Sequence, residues 1–338
     1  MSTISFELPI ALEAKAPPER RGSVRLLTAG PAGIRHGHFS ALADELRAGD
    51  LVVVNTSRTL PAAVNGRRQS GCSVTVHFSA ALYDGDWVVE VRPPHHATGP
   101  VGDLVGGEQV ALPQGVTLTV LAPKPAGQNR LWRARIPIVG GVVPYLARVG
   151  GPITYSYVNG HFPLTDYQTI FAREPGSAEM PSAGRPFTHE LVTELITHGI
   201  AVAPLTLHTG VSSQEAHEAP QPERYAVPES TAWLVNTTRT RGGRIIAVGT
   251  TVTRALESAA SGNGQVSPYA GWTDLILSAE RPARVVTGLI TGWHAPEASH
   301  LRLLEAVAGP GLVSDTYTEA LREKYLWHEF GDSCLLLP

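Results

Sequence analysis

The stretch RIIAVGTTVTRALESAA, residues 244–260, changes period midway. Ile245 to Val248 form a short apolar run suited to a strand buried on both faces, and from Thr250 onward the apolar residues recur at helical spacing. Gly249 marks the change, and Thr250 and Thr251 open the helix. A strand running directly into an amphipathic helix is the building unit of an α/β sheet. The same junction sets unpaired N–H groups and the positive end of a helix dipole beside the strand end, which suits a carboxylate or a phosphate. Arg254 adds a cation near that end. The bland alternative is that Thr251 only caps the helix, as threonines commonly do.

Working outward, helix-like FTHELVTELITHG (187–199) and strand-like AVAPLTLH (201–208) and RVVTGLITG (284–292) continue the alternation expected of helices covering a sheet. Near the start, FSALADELRAGD (39–50) has helical spacing, and LVVVN (51–55) is a buried strand that Asn55 ends. Between these regions the texture differs. CSVTVHF (72–78), WVVEVRP (87–93) and GVTLTVLAP (115–123) are β-branched runs separated by Gly, Pro and Asp at short intervals. The pattern predicts an α/β domain formed by residues 1–60 and 151–338, interrupted by an all-β barrel at 61–150. SGNGQVSPYAG (261–271) is expected to be a flexible loop, and the apolar tail EKYLWHEFGDSCLLLP (323–338) to dock on the body.

Composition narrows the function. A chain of 338 residues that is 43% hydrophobic can build substantial cores, and 27 basic against 30 acidic side chains leave no general attraction for polyphosphate. Only Cys72 and Cys334 are present, so no disulfide framework is expected. With no charged-then-apolar leader and no apolar span of about 18 residues, a cytoplasmic protein without membrane contact is expected. Thirteen histidines raise the question of a metal, yet none lies in a His-Glu-x-x-His pattern and no cysteine pair has zinc spacing, so no metal is expected. His95 and His96 sit in a Pro-rich turn and are expected to be solvated. Gly-x-Ser-x-Gly, the P-loop and Gly-x-Gly-x-x-Gly are all missing, which disfavours hydrolase and nucleotide-kinase chemistry.

Two further apolar runs end in histidine: TLHTG (206–210) at His208 and ITGWHAP (290–296) at His294. Ligands bind beyond the carboxyl ends of strands in open α/β sheets, so these ends and the one at Gly249 can converge on one cleft. Taken singly, either histidine is as well explained by a buried hydrogen bond. Trp293 can stack on a purine and His294 can move a proton, or both can simply pack the following helix against the sheet.

The blocks GDLVVVNTSRTLPA (49–62), YQTIFAREPGSAEMPSAGRPFT (167–188), TLHTG, IIAVGTTVTRALES (245–258), LITGWHAPEASHLRLLEAVAG (289–309) and YLWHEFGDSCLLL (325–337) occur in one order. In that order they resemble the S-adenosylmethionine:tRNA ribosyltransferase-isomerase family of queuosine biosynthesis, and the resemblance spans nearly the whole chain. It implies an α/β domain with an inserted β-barrel. It implies a reaction in which S-adenosylmethionine, as co-substrate, gives up its ribosyl carbons to a 7-aminomethyl-7-deazaguanine in tRNA, releasing adenine and methionine with no metal or redox cofactor. Such chemistry needs a base for the carbon beside the sulfonium and a later proton donor for adenine.

Placed on this chain, the resemblance makes His294, His208 and Glu223 the catalytic candidates. Gly249, Thr250, Thr251 and Arg254 are expected to hold the donor, with the Thr250 and Thr251 amides and Arg254 on its carboxylate. Asn55, Arg58, Tyr167, Gln168 and Trp293 are expected at the substrate. Arg20, Arg21, Arg67 and Arg68 are expected to touch tRNA phosphates, and the chain to be a monomer or weak homo-oligomer.

Several polar loops depart from the family pattern. Arg185-Pro186 stands where Leu-His is usual, HEAPQPE (217–223) keeps Glu223 but lacks paired histidines, TLHTGVSSQ (206–214) and NTSR (55–58) are altered, and Trp293 follows Gly rather than Asn-Phe preceding His294. Arginine stays protonated near neutrality and cannot replace a histidine base. The departures therefore predict weak turnover on the usual tRNA with donor binding retained. They leave open a divergent paralogue with another, small-molecule acceptor, or a non-catalytic binding protein.

Overall fold

The computed structural model describes residues 4–94, 99–211, 221–296 and 298–338. Its centre is a nine-stranded sheet in the order Tyr269–Thr273, Glu223–Val227, Ala201–Leu207, Leu51–Asn55, Ile245–Val248, Gly288–Gly292, Ser333–Leu336, Arg25–Gly30 and Gly33–His38. The strands from Ala201–Leu207 to Gly288–Gly292 run parallel to one another, and antiparallel strands flank them. Strand alternation divides the apolar side chains between two cores. Leu51 and Val53 join Ala247 and Leu289 under the Glu229–Thr240, Thr250–Ser258 and His300–Ala308 helices, whereas Val52 and Val54 join Ile246 and Ile290 under Phe187 and the His189–Thr197 helix.

Ala63–Arg68, Ser73–Ala81, Trp87–Arg92, Gln109–Leu112, Val116–Pro123 and Leu131–Arg135 close into an antiparallel barrel filled by Val64, Val76, Phe78, Val89, Val91, Leu118 and Val120. The Val142–Val149 helix packs Val142, Tyr145 and Leu146 on this core. Entering and returning chains pass each other where Ala63 bridges Gly151; a Cβ on Gly150 would lie 1.9 Å from the Pro61 carbonyl oxygen, so only glycine fits. An α/β domain with an inserted β-barrel, the fold class expected from the sequence, is thus the one observed.

Two local expectations need correction. The helical pattern at 39–50 yields only a 3₁₀ turn at Phe39–Ala41 and one α-turn at Leu42–Glu45. Leu46 is already extended, and the Asp50 carboxylate accepts from the Arg47 amide, which folds the chain into the next strand instead. The segment 261–271 is not simply a loop: Ala260 bridges Val266, the Asn236 side chain pairs with the Val266 backbone, and Tyr269–Thr273 is the edge strand of the main sheet. The tail supplies the Ser333–Leu336 strand inside that sheet. Among the described residues no helix is long and apolar enough to cross a membrane.

Candidate active site

The Leu51–Asn55 strand is flanked by Ala201–Leu207 on one side and Ile245–Val248 on the other. The strand order therefore reverses at this point, where open α/β sheets place their ligands. Beyond the carboxyl ends of these strands lies a cleft of about 700 Å³, within the usual span of ligand sites. Of the residues singled out from the sequence, Tyr167, Glu223, Gly249, Thr250, Thr251, Arg254, Trp293 and His294 line it; Asn55, Arg58, Gln168 and His208 do not.

The floor of the cleft is the start of the Thr250–Ser258 helix. Gly249 has φ 92° and ψ 162°, left-handed backbone that glycine tolerates, and no side chain caps the first amides. Asn55 is buried behind it: its Nδ2 donates to the Leu207 carbonyl (2.8 Å) and Thr251 Oγ1 (3.3 Å), and its Oδ1 accepts from the Leu207 and Ser57 amides. It ties adjacent strand ends together and orients Thr251. Gln168 likewise clasps the Thr59 backbone through both amide atoms. Arg58 is exposed, between buried Ser57 and Thr59.

Arg254 is buried and its donors are taken up by protein. Nε donates to the Leu275 carbonyl, Nη1 to Glu223 Oε2 (2.6 Å) and the Gln221 carbonyl, and Nη2 to the Gln221 and Thr273 carbonyls. It thus fastens the segment carrying Glu223 to the Tyr269–Thr273 edge. Burial pushes the Glu223 carboxyl above its ordinary range, and the Arg254 guanidinium offsets only part of that.

On the opposite wall, His294 Nε2 lies 3.0 Å from Thr291 Oγ1, and its ring stacks on His300 at 4.7 Å with an interplanar angle of 7°. Burial, with the neighbouring His300 and His328, holds His294 well below the usual imidazole range, and burial with Arg254 lowers His300 to about 4. Both rings are therefore neutral near pH 7, and the burial that keeps them neutral also makes them weak proton acceptors. Trp293 is 2% exposed and packs among Tyr317, Tyr325 and Trp327, with ring centroids 5.2–5.6 Å away. Its ring is mostly committed to the core. His208 is hydrogen-bonded through Nδ1 to Ser57 Oγ (2.8 Å), and burial with Arg224 lowers it to about 4.

Residues that sequence reasoning did not single out form the third wall. Tyr155 donates to Glu179 and Tyr157 to Glu329; the two tyrosine rings stack at 5.7 Å, and Tyr157 stacks on His328 at 4.1 Å. All of them line the cleft. Burial raises Glu329 to about 7, the Tyr157 hydrogen bond pulls it back, and the Glu179 charge raises it further. Glu179 and Glu329 were present in the sequence blocks quoted above, but they lie far apart in the chain and only folding shows that they meet. Arg185 is buried nearby, its guanidinium over the Phe330 ring at 5.0 Å and its Nε donating to the Asp166 carbonyl. Among the described residues no group of His, Cys, Asp and Glu is arranged to hold a metal ion; His95 and His96 lie outside them.

Of the basic residues expected at phosphates, Arg68 is paired with Glu108 and Asp103, and Arg21 donates to the Gln168 and Arg185 carbonyls. Arg20 and Arg67 are exposed.

The fold is thus an α/β sheet with an inserted barrel, and its strand-end cleft combines an uncapped helix start with a cluster of ionisable side chains. The chain belongs to the queuosine biosynthesis protein family, whose profile matches residues 1–336. It is 32% identical to the S-adenosylmethionine:tRNA ribosyltransferase-isomerase of Natranaerobius thermophilus, with 99% of each chain covered. It is 33% identical to the protein of the same name from Symbiobacterium thermophilum, over 100% of this chain and 99% of the other. The crystal structure of S-adenosylmethionine tRNA ribosyltransferase from Thermotoga maritima superposes with a TM-score of 0.54 at 27% identity, covering 98% of this chain and 99% of that one.

Proposed function

We propose that this protein is an S-adenosylmethionine-dependent ribosyltransferase-isomerase that acts on a 7-aminomethyl-7-deazaguanine in tRNA. The observation that carries the proposal is the meeting, in one cleft, of an uncapped helix start at Gly249–Thr250–Thr251 with the carboxyl groups of Glu179, Glu223 and Glu329 and the ring of His294. The amides of Thr250 and Thr251 bind the methionine carboxylate, where the helix dipole favours negative charge. Asn55 and Arg254 act behind them: Asn55 orients Thr251, and Arg254 holds the Glu223 segment against the sheet edge. The acceptor enters along Tyr167, beside Thr59, which Gln168 fixes. Its amine is protonated in water and must lose that proton before it can attack; the neutral ring of His294, which lines the cleft, orients the free amine by a hydrogen bond.

The missing family histidines need not remove proton transfer, because Glu329 and Glu179 stand in the same cleft. For the tRNA, the exposed Arg20, Arg58 and Arg67 supply phosphate contacts, so binding weakens as salt rises. The test is the fate of the donor. Release of adenine and methionine in equal amounts, dependent on the modified tRNA, supports ribosyl transfer; S-adenosylhomocysteine would mean methyl transfer and refute it.

A further inference from the structure

Glu329 is the junction of the third wall. Its Oε2 accepts from Tyr157, whose ring is fixed by stacking on His328 and Tyr155. The charges of Glu179 and Arg185 act on it, and its own charge acts on Tyr167. Two hydroxyls lining the same cleft, Tyr167 Oη and Thr59 Oγ1, are each on a residue 3% exposed and have no hydrogen-bond partner among the described residues. Buried hydroxyls are rarely left unpaired, so these two mark where a polar ligand edge completes the site. A carboxylate set beside such a subsite, with one oxygen held by a tyrosine and the other not engaged by it, is built to exchange a proton with what binds there.

We infer that Glu329 is the general base that removes the proton from the donor carbon next to the sulfonium. The assignment rests on the ribosyl-transfer function proposed above. Glu329 Oε1 takes the proton; the C–H bond breaks and its electron pair remains on the carbon, stabilised by the adjacent positive sulfur. The resulting carboxylic acid keeps the proton until the bond between the sugar and adenine breaks. The electron pair left on the deprotonated carbon forms the new ring bond to the sugar carbon that carries adenine, while the pair of the breaking bond goes to the adenine nitrogen, which takes the proton, and Glu329 returns to the carboxylate. No oxidant or reductant is involved. Tyr157 is a positioning residue, and its hydrogen bond holds the carboxyl lower than burial alone would.

The experiment uses the full chain, the modified tRNA and S-adenosylmethionine deuterated at the 5′ carbon. Wild type should release adenine and methionine and form product depleted in deuterium. Glu329→Gln should bind the donor within about threefold of wild type yet lose about 10²–10⁴-fold in turnover, the range of a lost general base. Tyr157→Phe should stay active but move the rising limb of the pH profile to higher pH, because loss of the donor raises the carboxyl and the ionised form appears later. A role confined to packing would not move that limb. Turnover of Glu329→Gln close to wild type, or an unshifted limb in Tyr157→Phe should Glu329→Gln not fold, overturns the assignment alone. A wild type that releases neither adenine nor methionine overturns the function and the assignment together.

Discussion

Replacing Arg254 with methionine should destabilise the protein far more than a surface arginine would. Methionine keeps most of the side-chain volume, so the loss is polar. Glu223 loses its partner at 2.6 Å, and the carbonyls of Gln221, Thr273 and Leu275 lose their donor in a buried setting. Breaking a buried pair by removing one partner costs about 3–5 kcal/mol, because the remaining charge stays desolvated. Adding about 1.5–3 kcal/mol for each lost hydrogen bond to a charged group would count the same desolvation twice, so the expected loss stays near the former range.

The loss also depends on pH. Burial already holds the folded Glu223 above its ordinary value, and Arg254 is what pulls it down. Without Arg254 it rises further, so the folded state binds a proton that the unfolded state releases. A carboxyl with a raised folded value contributes no penalty below the unfolded value near 4.3, and the full penalty appears once the pH exceeds the folded value. Urea denaturation at about pH 8 should therefore show the large deficit, and at about pH 5 a smaller one. Adding Glu223→Gln to Arg254→Met should recover part of the deficit. A deficit below about 1 kcal/mol, the scale of an exposed ion pair, or one equal at both pH values, would refute this account of Arg254.

Gly249→Ala forces an alanine into φ 92° and sets its Cβ 3.2 Å from Ala183 Cβ, so donor affinity measured by calorimetry should fall; backbone strain of this kind costs about 1–3 kcal/mol, and unchanged affinity would show that the turn does not present the amides. Asp50 is 1% exposed; burial alone would raise it, but hydrogen bonds from Arg244 and the Arg47 amide outweigh burial and hold it below the ordinary carboxylate range. Its contribution is present above the unfolded value and lost as pH falls through the folded one, so Asp50→Asn should destabilise at neutral pH and converge with wild type in acid, as thermal melts across pH would report.

The elements that local periodicity can express were legible in the sequence. The change from strand to helix at Gly249 follows from apolar spacing over a few residues, and so do the β-branched runs that become the barrel. What was not legible is convergence. Arg254 is one turn from Thr250 in sequence and suggested an anion ligand, but its donors go to residues 221, 223, 273 and 275, which sheet order alone brings to it. Asn55 ends a strand and looked like a substrate contact; folding turns it inward as a latch between strand ends. Glu329 follows His328 in an apolar tail that signalled docking and nothing more, and its meaning depends on Tyr157 and Glu179 arriving from elsewhere. The short helix at Leu42–Glu45 shows the opposite failure, where helical spacing was present but the Asp50 side chain ended the helix early.

The most direct measurement of the central claim is the acceptor nucleoside itself. The protein is incubated with S-adenosylmethionine and tRNA bearing 7-aminomethyl-7-deazaguanine, the RNA is digested, and the nucleosides are separated by mass. The account predicts an epoxycyclopentanediol nucleoside formed in step with adenine and methionine. Donor binding with the tRNA recovered unaltered would contradict it.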